Sequence, residues 1–150
     1  FRRVLFRSMS EKVLLIDDEK DFLEVMSERM QNRDIDVTTA SSAREALALV
    51  EKESYDAIIL DLQMPEMDGL QALERLKAIN PELQVILLTG HATVEKGVQA
   101  MKLGATDVLE KPADIQTLTE KIHKAHARKI ILVEKENEEK IRAILGSKAW

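Results

Sequence analysis

Four short apolar runs in this 150-residue chain each stop on a polar residue, and helix-like stretches separate them. Val13-Leu14-Leu15-Ile16 stops at Asp17-Asp18, and Ala57-Ile58-Ile59-Leu60 stops at Asp61. Val85-Ile86-Leu87-Leu88 stops at Thr89, and Thr106 to Glu110 stops at Lys111-Pro112. Apolar runs this short suit strands buried on both faces. If the strands are parallel neighbours, their carboxyl ends share one rim, and open α/β sheets bind ligands at that rim. Three carboxylates, a hydroxyl and an ammonium would then converge.

The stretches between the runs have helical spacing. Phe22, Leu23, Val25, Met26 and Met30 predict a helix from Lys20 to about Gln31. Ile35 to Thr39 reads as a second, more alternating strand at a sheet edge. Ser41-Ser42 offers an N-cap to a helix over 43–52. Asp56 to Leu60, Gln84 to Leu88 and Ala105 to Leu109 read as further strands. Helices are expected over 70–79, stopped by Asn80-Pro81, and over 94–103, stopped by Gly104. Alternation of this kind implies a parallel sheet with helices on both faces, strands 1, 3 and 4 lying inside. Asp114 then caps a helix with no clear stop, because Pro and Gly are absent from 113–145. Ile130-Ile131-Leu132-Val133 suits a strand as well as a helix.

Composition narrows the chemistry. The chain has no cysteine, which excludes disulfides, thiolate catalysis and cysteine zinc sites and fits the cytoplasm. No apolar run approaches the roughly 20 residues of a membrane span, so no membrane partner is expected. Residues 9–127 carry 13 Lys/Arg against 23 Asp/Glu, while 128–150 carry six against four. The acidic part would repel a phosphate backbone, so no direct nucleic-acid binding is expected, and basic protein surfaces suit it better. Residues 1–8 hold three arginines and two of the three phenylalanines, and read as a cloning-derived leader before Met9.

The rim residues suit phosphoryl chemistry. Asp17, Asp18 and Asp61 would repel one another unless a proton or cation intervenes. Mg²⁺ prefers oxygen ligands of this kind. The ordinary alternative is that Asp17-Asp18 is a solvated turn and helix cap. A carboxylate such as Asp61 can attack phosphorus to give an acyl phosphate. Lys111 would supply a second positive charge, and Thr89 could donate to a phosphoryl oxygen. Taken singly, a lysine is usually a solvated side chain, and a threonine at a strand end usually caps the next turn. A cis Lys111-Pro112 bond would turn Lys111 inward, and Gly90 would let backbone approach a phosphate closely.

With these motifs together, the chain resembles the receiver domain of two-component response regulators, of the chemotaxis-regulator type. The resemblance runs from residue 11 to about 127. Val13 to Glu19, Ile58 to Gly69, Val85 to Gly90 and Gly104 to Pro112 carry it. It implies a flavodoxin-like (βα)5 doubly wound sheet with strand order 2-1-3-4-5, here with a C-terminal helical extension. It also implies Asp61 as phosphoacceptor. Mg²⁺ would be held by Asp18 and Asp61 side chains, the Gln63 backbone carbonyl and, through water, Asp17. Thr89 and Lys111 would contact the phosphoryl group. The implied donor is a sensor histidine kinase or phosphotransfer protein, and the implied output is a downstream protein target. Such a domain catalyses its own phosphorylation and hydrolysis without being a turnover enzyme. Val108 stands where the family often has an aromatic residue, so the aromatic half of the usual switch is missing. Gln63 and His91 fall where family members tune dephosphorylation.

Three other readings fit less well. A haloacid-dehalogenase-type phosphatase needs Asp-x-Asp on its first strand, whereas Asp61-Leu62-Gln63 lacks the second Asp. A flavodoxin needs a hydroxyl- and glycine-rich loop after strand 1, where Asp17-Asp18-Glu19 would repel phosphate. A folded but unphosphorylated receiver is disfavoured by the presence of all five rim residues. The expected organisation is a leader over 1–8, a receiver over 9–127 and an extension over 128–150. The extension could end a stand-alone receiver, be the linker of a longer regulator, or form a homodimer through Ile130, Val133, Ile141 and Ile144. The run at 130–133 favours a helix packed on another chain.

Overall fold

The computed structural model describes residues 10–90 and 94–147, so the leader and His91 lie outside the described residues. Among the described residues, five strands and five helices alternate. They are β1 (Lys12–Ile16), α1 (Lys20–Gln31), β2 (Asp36–Ala40), α2 (Ala43–Lys52) and β3 (Ala57–Asp61). There follow α3 (Gly69–Ile79), β4 (Val85–Thr89), α4 (Val94–Lys102), β5 (Asp107–Glu110) and α5 (Ile115–Ser147). The strands form one parallel sheet in the order β2-β1-β3-β4-β5, with β2 at an edge.

Each apolar run divides between two cores by the two-residue period of a strand. Leu14, Ile16, Ile58, Leu60, Val85 and Leu87 face the side covered by α2, α3 and α4. Val13, Leu15, Ala57, Ile59, Ile86 and Leu88 face α1 and α5, which contribute Leu23, Met26, Met30, Leu118, Ile122 and Ala125. With both faces covered, β1, β3 and β4 are buried almost throughout.

Helix ends follow local chemistry. The Ser42 side chain accepts from the Glu45 N–H at 3.2 Å, and Asp68 accepts from Gln71 N–H at 2.9 Å. Gly104 takes φ +100° just past α4, a turn that favours glycine. That turn, with Ala105 N–H bonded back to the Ala100 carbonyl, delays β5 to Asp107, two residues later than expected. Asp61 lies inside β3, because its partner in the ladder is Leu88. Ile130 to Val133 are helical, within a 33-residue α5 about 50 Å long. Lys129 fastens this helix to the sheet entrance, its Nζ donating to the Tyr55 carbonyl at 2.9 Å and Ser54 Oγ at 3.2 Å. Among the described residues, no helix is long and apolar enough to cross a membrane.

Gly69 fixes the loop after β3. Its N–H donates to the Leu62 carbonyl at 2.7 Å, and a Cβ there would lie 2.5 Å from Leu62 Cα. Gly69→Ala should therefore destabilise the protein by about 1–3 kcal/mol in urea unfolding. Gly90→Ala, where a Cβ meets nothing within 4 Å, should not carry that steric cost.

Candidate functional site

The strand register builds the rim. Ile16 pairs with Leu60, Asp61 with Leu88, and Thr89 with Glu110. The ladder continues one residue past the strand ends. Asp17 N–H donates to the Ala40 carbonyl at 3.1 Å, and Lys111 N–H donates to the Thr89 carbonyl at 2.7 Å. Asp17, Asp61, Thr89 and Lys111 are thereby held at one edge by sheet hydrogen bonds. Asp18 follows β1 and is exposed, whereas Asp17 and Thr89 are fully buried and Asp61 is 5% exposed.

The charged groups meet as the strand ends predict. One oxygen each from Asp17, Asp18 and Asp61 lies within 4.8 Å of the others. Lys111 Nζ is 2.7 Å from Asp17 Oδ2 and 3.8 Å from Asp61 Oδ2. The Lys111-Pro112 bond is cis. Asp17 Oδ1 accepts from the Glu19 N–H at 2.9 Å, and Asp61 Oδ1 from the Gln63 N–H at 3.3 Å. These are turns in which a carboxylate bonds backbone two residues on.

The cluster is short of positive charge. Burial raises the Asp61 pKa from 3.8 to about 6, and the neighbouring Asp17 charge adds to the rise. The Gln63 N–H and Lys111 oppose the shift without cancelling it. For Lys111, burial disfavours the charge, but the Asp17 hydrogen bond and the charges of Asp17, Asp61 and Glu19 outweigh it, raising the pKa. Three oxygen donors, one of them open to water, suit a small hard divalent cation that keeps part of its hydration shell.

A cleft of about 640 Å³ opens above the cluster, lined by Asp18, Asp61, Gln63, Gly90, Lys96 and Lys111 among others. Gln63 is exposed at its edge. Lys96, on α4, belongs to no strand end, so the strand-end pattern does not point to it. Phe22 reads in sequence as one more apolar position of α1, yet its ring centroid lies 4.4 Å from Lys111 Nζ. No periodicity signals that contact, since α1 and Lys111 are joined only by folding.

Known proteins share this architecture. The family model "Response regulator receiver domain" matches residues 13–123. The transcriptional regulatory protein ZraR of Escherichia coli (strain K12) is 35% identical over 115 residues, covering 77% of this chain and 26% of that protein. The chain thus spans about a quarter of that relative's length. A response regulator receiver domain protein from Clostridium thermocellum is 38% identical with a TM-score of 0.77, covering 81% of this chain and 98% of the other. A CheY-like receiver domain protein from Methanospirillum hungatei JF-1 is 28% identical, also with TM-score 0.77, covering 85% and 98%.

The raised Asp61 pKa gives a stability prediction for the metal-free protein. Folding favours protonated Asp61, so that contribution is complete below about pH 4 and is lost as pH rises through about 6. Asp61→Asn removes the penalty. In chelator at pH 7.5 the variant should be about 1–3 kcal/mol more stable than the wild type in urea unfolding, with the difference fading toward pH 4. Added Mg²⁺ should narrow it by stabilising the wild type.

Proposed function

The chain belongs to the response regulator receiver domain family, and on that premise we propose that it accepts a phosphoryl group on Asp61 from a phosphohistidine donor. The observation that carries the reading is the nearly buried Asp61 carboxylate, crowded by Asp17 and Asp18 and faced by Lys111 at 3.8 Å. The donor would be a sensor histidine kinase or a phosphotransfer protein. An Asp61 oxygen attacks phosphorus, the P–O bond forms as the P–N bond breaks, and the electron pair leaves on the imidazole nitrogen. The chain's task is to position groups and neutralise charge. Lys111, with its Nζ 3.8 Å from Asp61 Oδ2, would meet an equatorial phosphoryl oxygen. Thr89, at the end of β4, would offer its hydroxyl to another.

Asp18 and Asp61 side chains and the Gln63 backbone carbonyl are the proposed ligands of Mg²⁺, with Asp17 acting through water. Bound there, the ion would neutralise phosphoryl charge as it builds. The same residues would serve phosphoryl hydrolysis, with Gln63 and His91 at the sequence positions where family members tune it. The domain catalyses its own modification and is not a turnover enzyme. We assign the receiver to 9–127 and the extension to 128–150, place the chain in the cytoplasm, and read its output as contact with a downstream protein rather than nucleic acid. Leader status for 1–8 belongs to the same reading.

Acetyl phosphate with Mg²⁺ tests this without a kinase. The wild type should gain one phosphoryl group by intact-protein mass spectrometry, and borohydride reduction should place it on Asp61. Asp61→Asn should gain none; equal labelling of that variant would contradict the assignment.

The extension carries a second reading. Leu118, Ile122 and Ala125 are committed to the domain's own core, while Ile130, Val133, Ile141 and Ile144 are 47%, 36%, 57% and 54% exposed. With Asn137 between them these positions recur at three- and four-residue steps along one helix stripe. Glu136–Lys140 and Glu138–Arg142 pairs lie along the same length of helix. A second copy of α5 would cover the apolar stripe. Sedimentation should show concentration-dependent association of the full chain and its loss in Ile141→Glu/Ile144→Glu; identical monomers would reject the homodimer.

A further inference from the structure

Of the Phe, Tyr and Trp side chains among the described residues, only Phe22 and Tyr55 remain, and only Phe22 meets the rim. Tyr55 lies at the opposite end of the sheet, just before β3, with Lys12 Nζ 5.8 Å from its ring. Phe22 stands in the first turn of α1, half-buried against the core shared by α1 and α5. Leu109 and Ala113, which flank Lys111 along the chain, pack against the same core. The ring therefore has a fixed seat beside the lysine.

The Lys111 ammonium is held from two sides. Asp17 Oδ2 takes it at 2.7 Å, and the Phe22 ring faces it at 4.4 Å. Asp61 Oδ2, at 3.8 Å, lies beyond hydrogen-bond distance. A lysine stem is flexible, and its ammonium ordinarily holds water. An aromatic face attracts the cation without taking the place of an oxygen acceptor. The ring so displaces water from one side and leaves the remaining N–H donors to oxygens at the rim. β5 supplies no such ring, since position 108 is valine.

We propose that Phe22 is a positioning residue whose ring pins the Lys111 ammonium beside Asp17, within a short reach of phosphoryl oxygens arriving at Asp61. This rests on the phosphoacceptor reading given above. Phe22 acts through Lys111 and does not touch the reacting group. Plain apolar packing would need only a side chain of similar bulk, whereas pinning needs the π face.

That difference sets the test, on the full chain with acetyl phosphate and Mg²⁺, so that kinase docking plays no part. Phe22→Leu and Phe22→Met keep apolar bulk, and Phe22→Tyr keeps the ring. The aliphatic variants should be phosphorylated about three- to tenfold more slowly than the wild type, and Phe22→Tyr should restore the rate to within about twofold. The independent readout is the Lys111 ε-methylene proton resonance. The ring should shift it upfield in the wild type and Phe22→Tyr, and the shift should vanish in the aliphatic variants. Normal wild-type phosphorylation with equal rates in Leu, Met and Tyr variants overturns the positioning role alone. So does a Lys111 resonance that is the same in the wild type and Phe22→Leu. A wild type that takes up no phosphoryl group overturns the phosphoacceptor reading and this role with it.

Discussion

One ammonium faces more negative charge than it can balance, and the rim depends on that inequality. Lys111 forms its close pair with buried Asp17, which leaves Asp61 with a distant cation and two near carboxylates. At an effective dielectric of about 20, unit charges 4 Å apart interact by about 4 kcal/mol. The carboxylates would separate if they could. They cannot, because Asp17 and Asp61 continue strands whose ladder bonds and buried neighbours fix their positions. The sheet holds a repulsive cluster together, and the unmet charge is what a cation or a protonated Asp61 relieves.

The rest of the molecule keeps that edge rigid. Two apolar cores clamp the strands from opposite faces, so that a shift in one strand would disturb both. Gly69 lets α3 start directly against Leu62 and ties the loop after Asp61 to the strand. On the α1 and α5 side, Phe22 closes over Lys111 from the same core that holds Leu118 and Ile122. The rim and the long terminal helix therefore share packing, although α5 runs on past Lys129 and Tyr55 at the far end of the sheet.

Much of this was legible in sequence because both signals are local. A run such as Val85 to Leu88 announces a buried strand, and the next polar residue, Thr89, must then lie at its end. Four such ends and one alternating edge strand, with helices between, give the strand order once the resemblance to receivers is added. Boundaries slipped by a residue or two where folding decides them, as at Asp61, which the Leu88 pairing draws into β3, and at Ala105, which the Gly104 turn keeps out of β5. The contacts that sequence could not supply are those between distant side chains. Phe22 on Lys111, Lys96 at the cleft and Lys129 on the Tyr55 carbonyl each join segments that no periodicity links.

The most direct test of the central claim is to locate a divalent cation on the protein. Mn²⁺, titrated in place of Mg²⁺, broadens nearby amide resonances. Broadening should begin at residues 17, 18 and 61–63, spread over the cleft, leave α5 beyond residue 130 sharp, and reverse on addition of excess Mg²⁺. Broadening that starts among Glu134, Glu136, Glu138 and Glu139, or spreads evenly over acidic surface with no preference for the rim, would contradict the account.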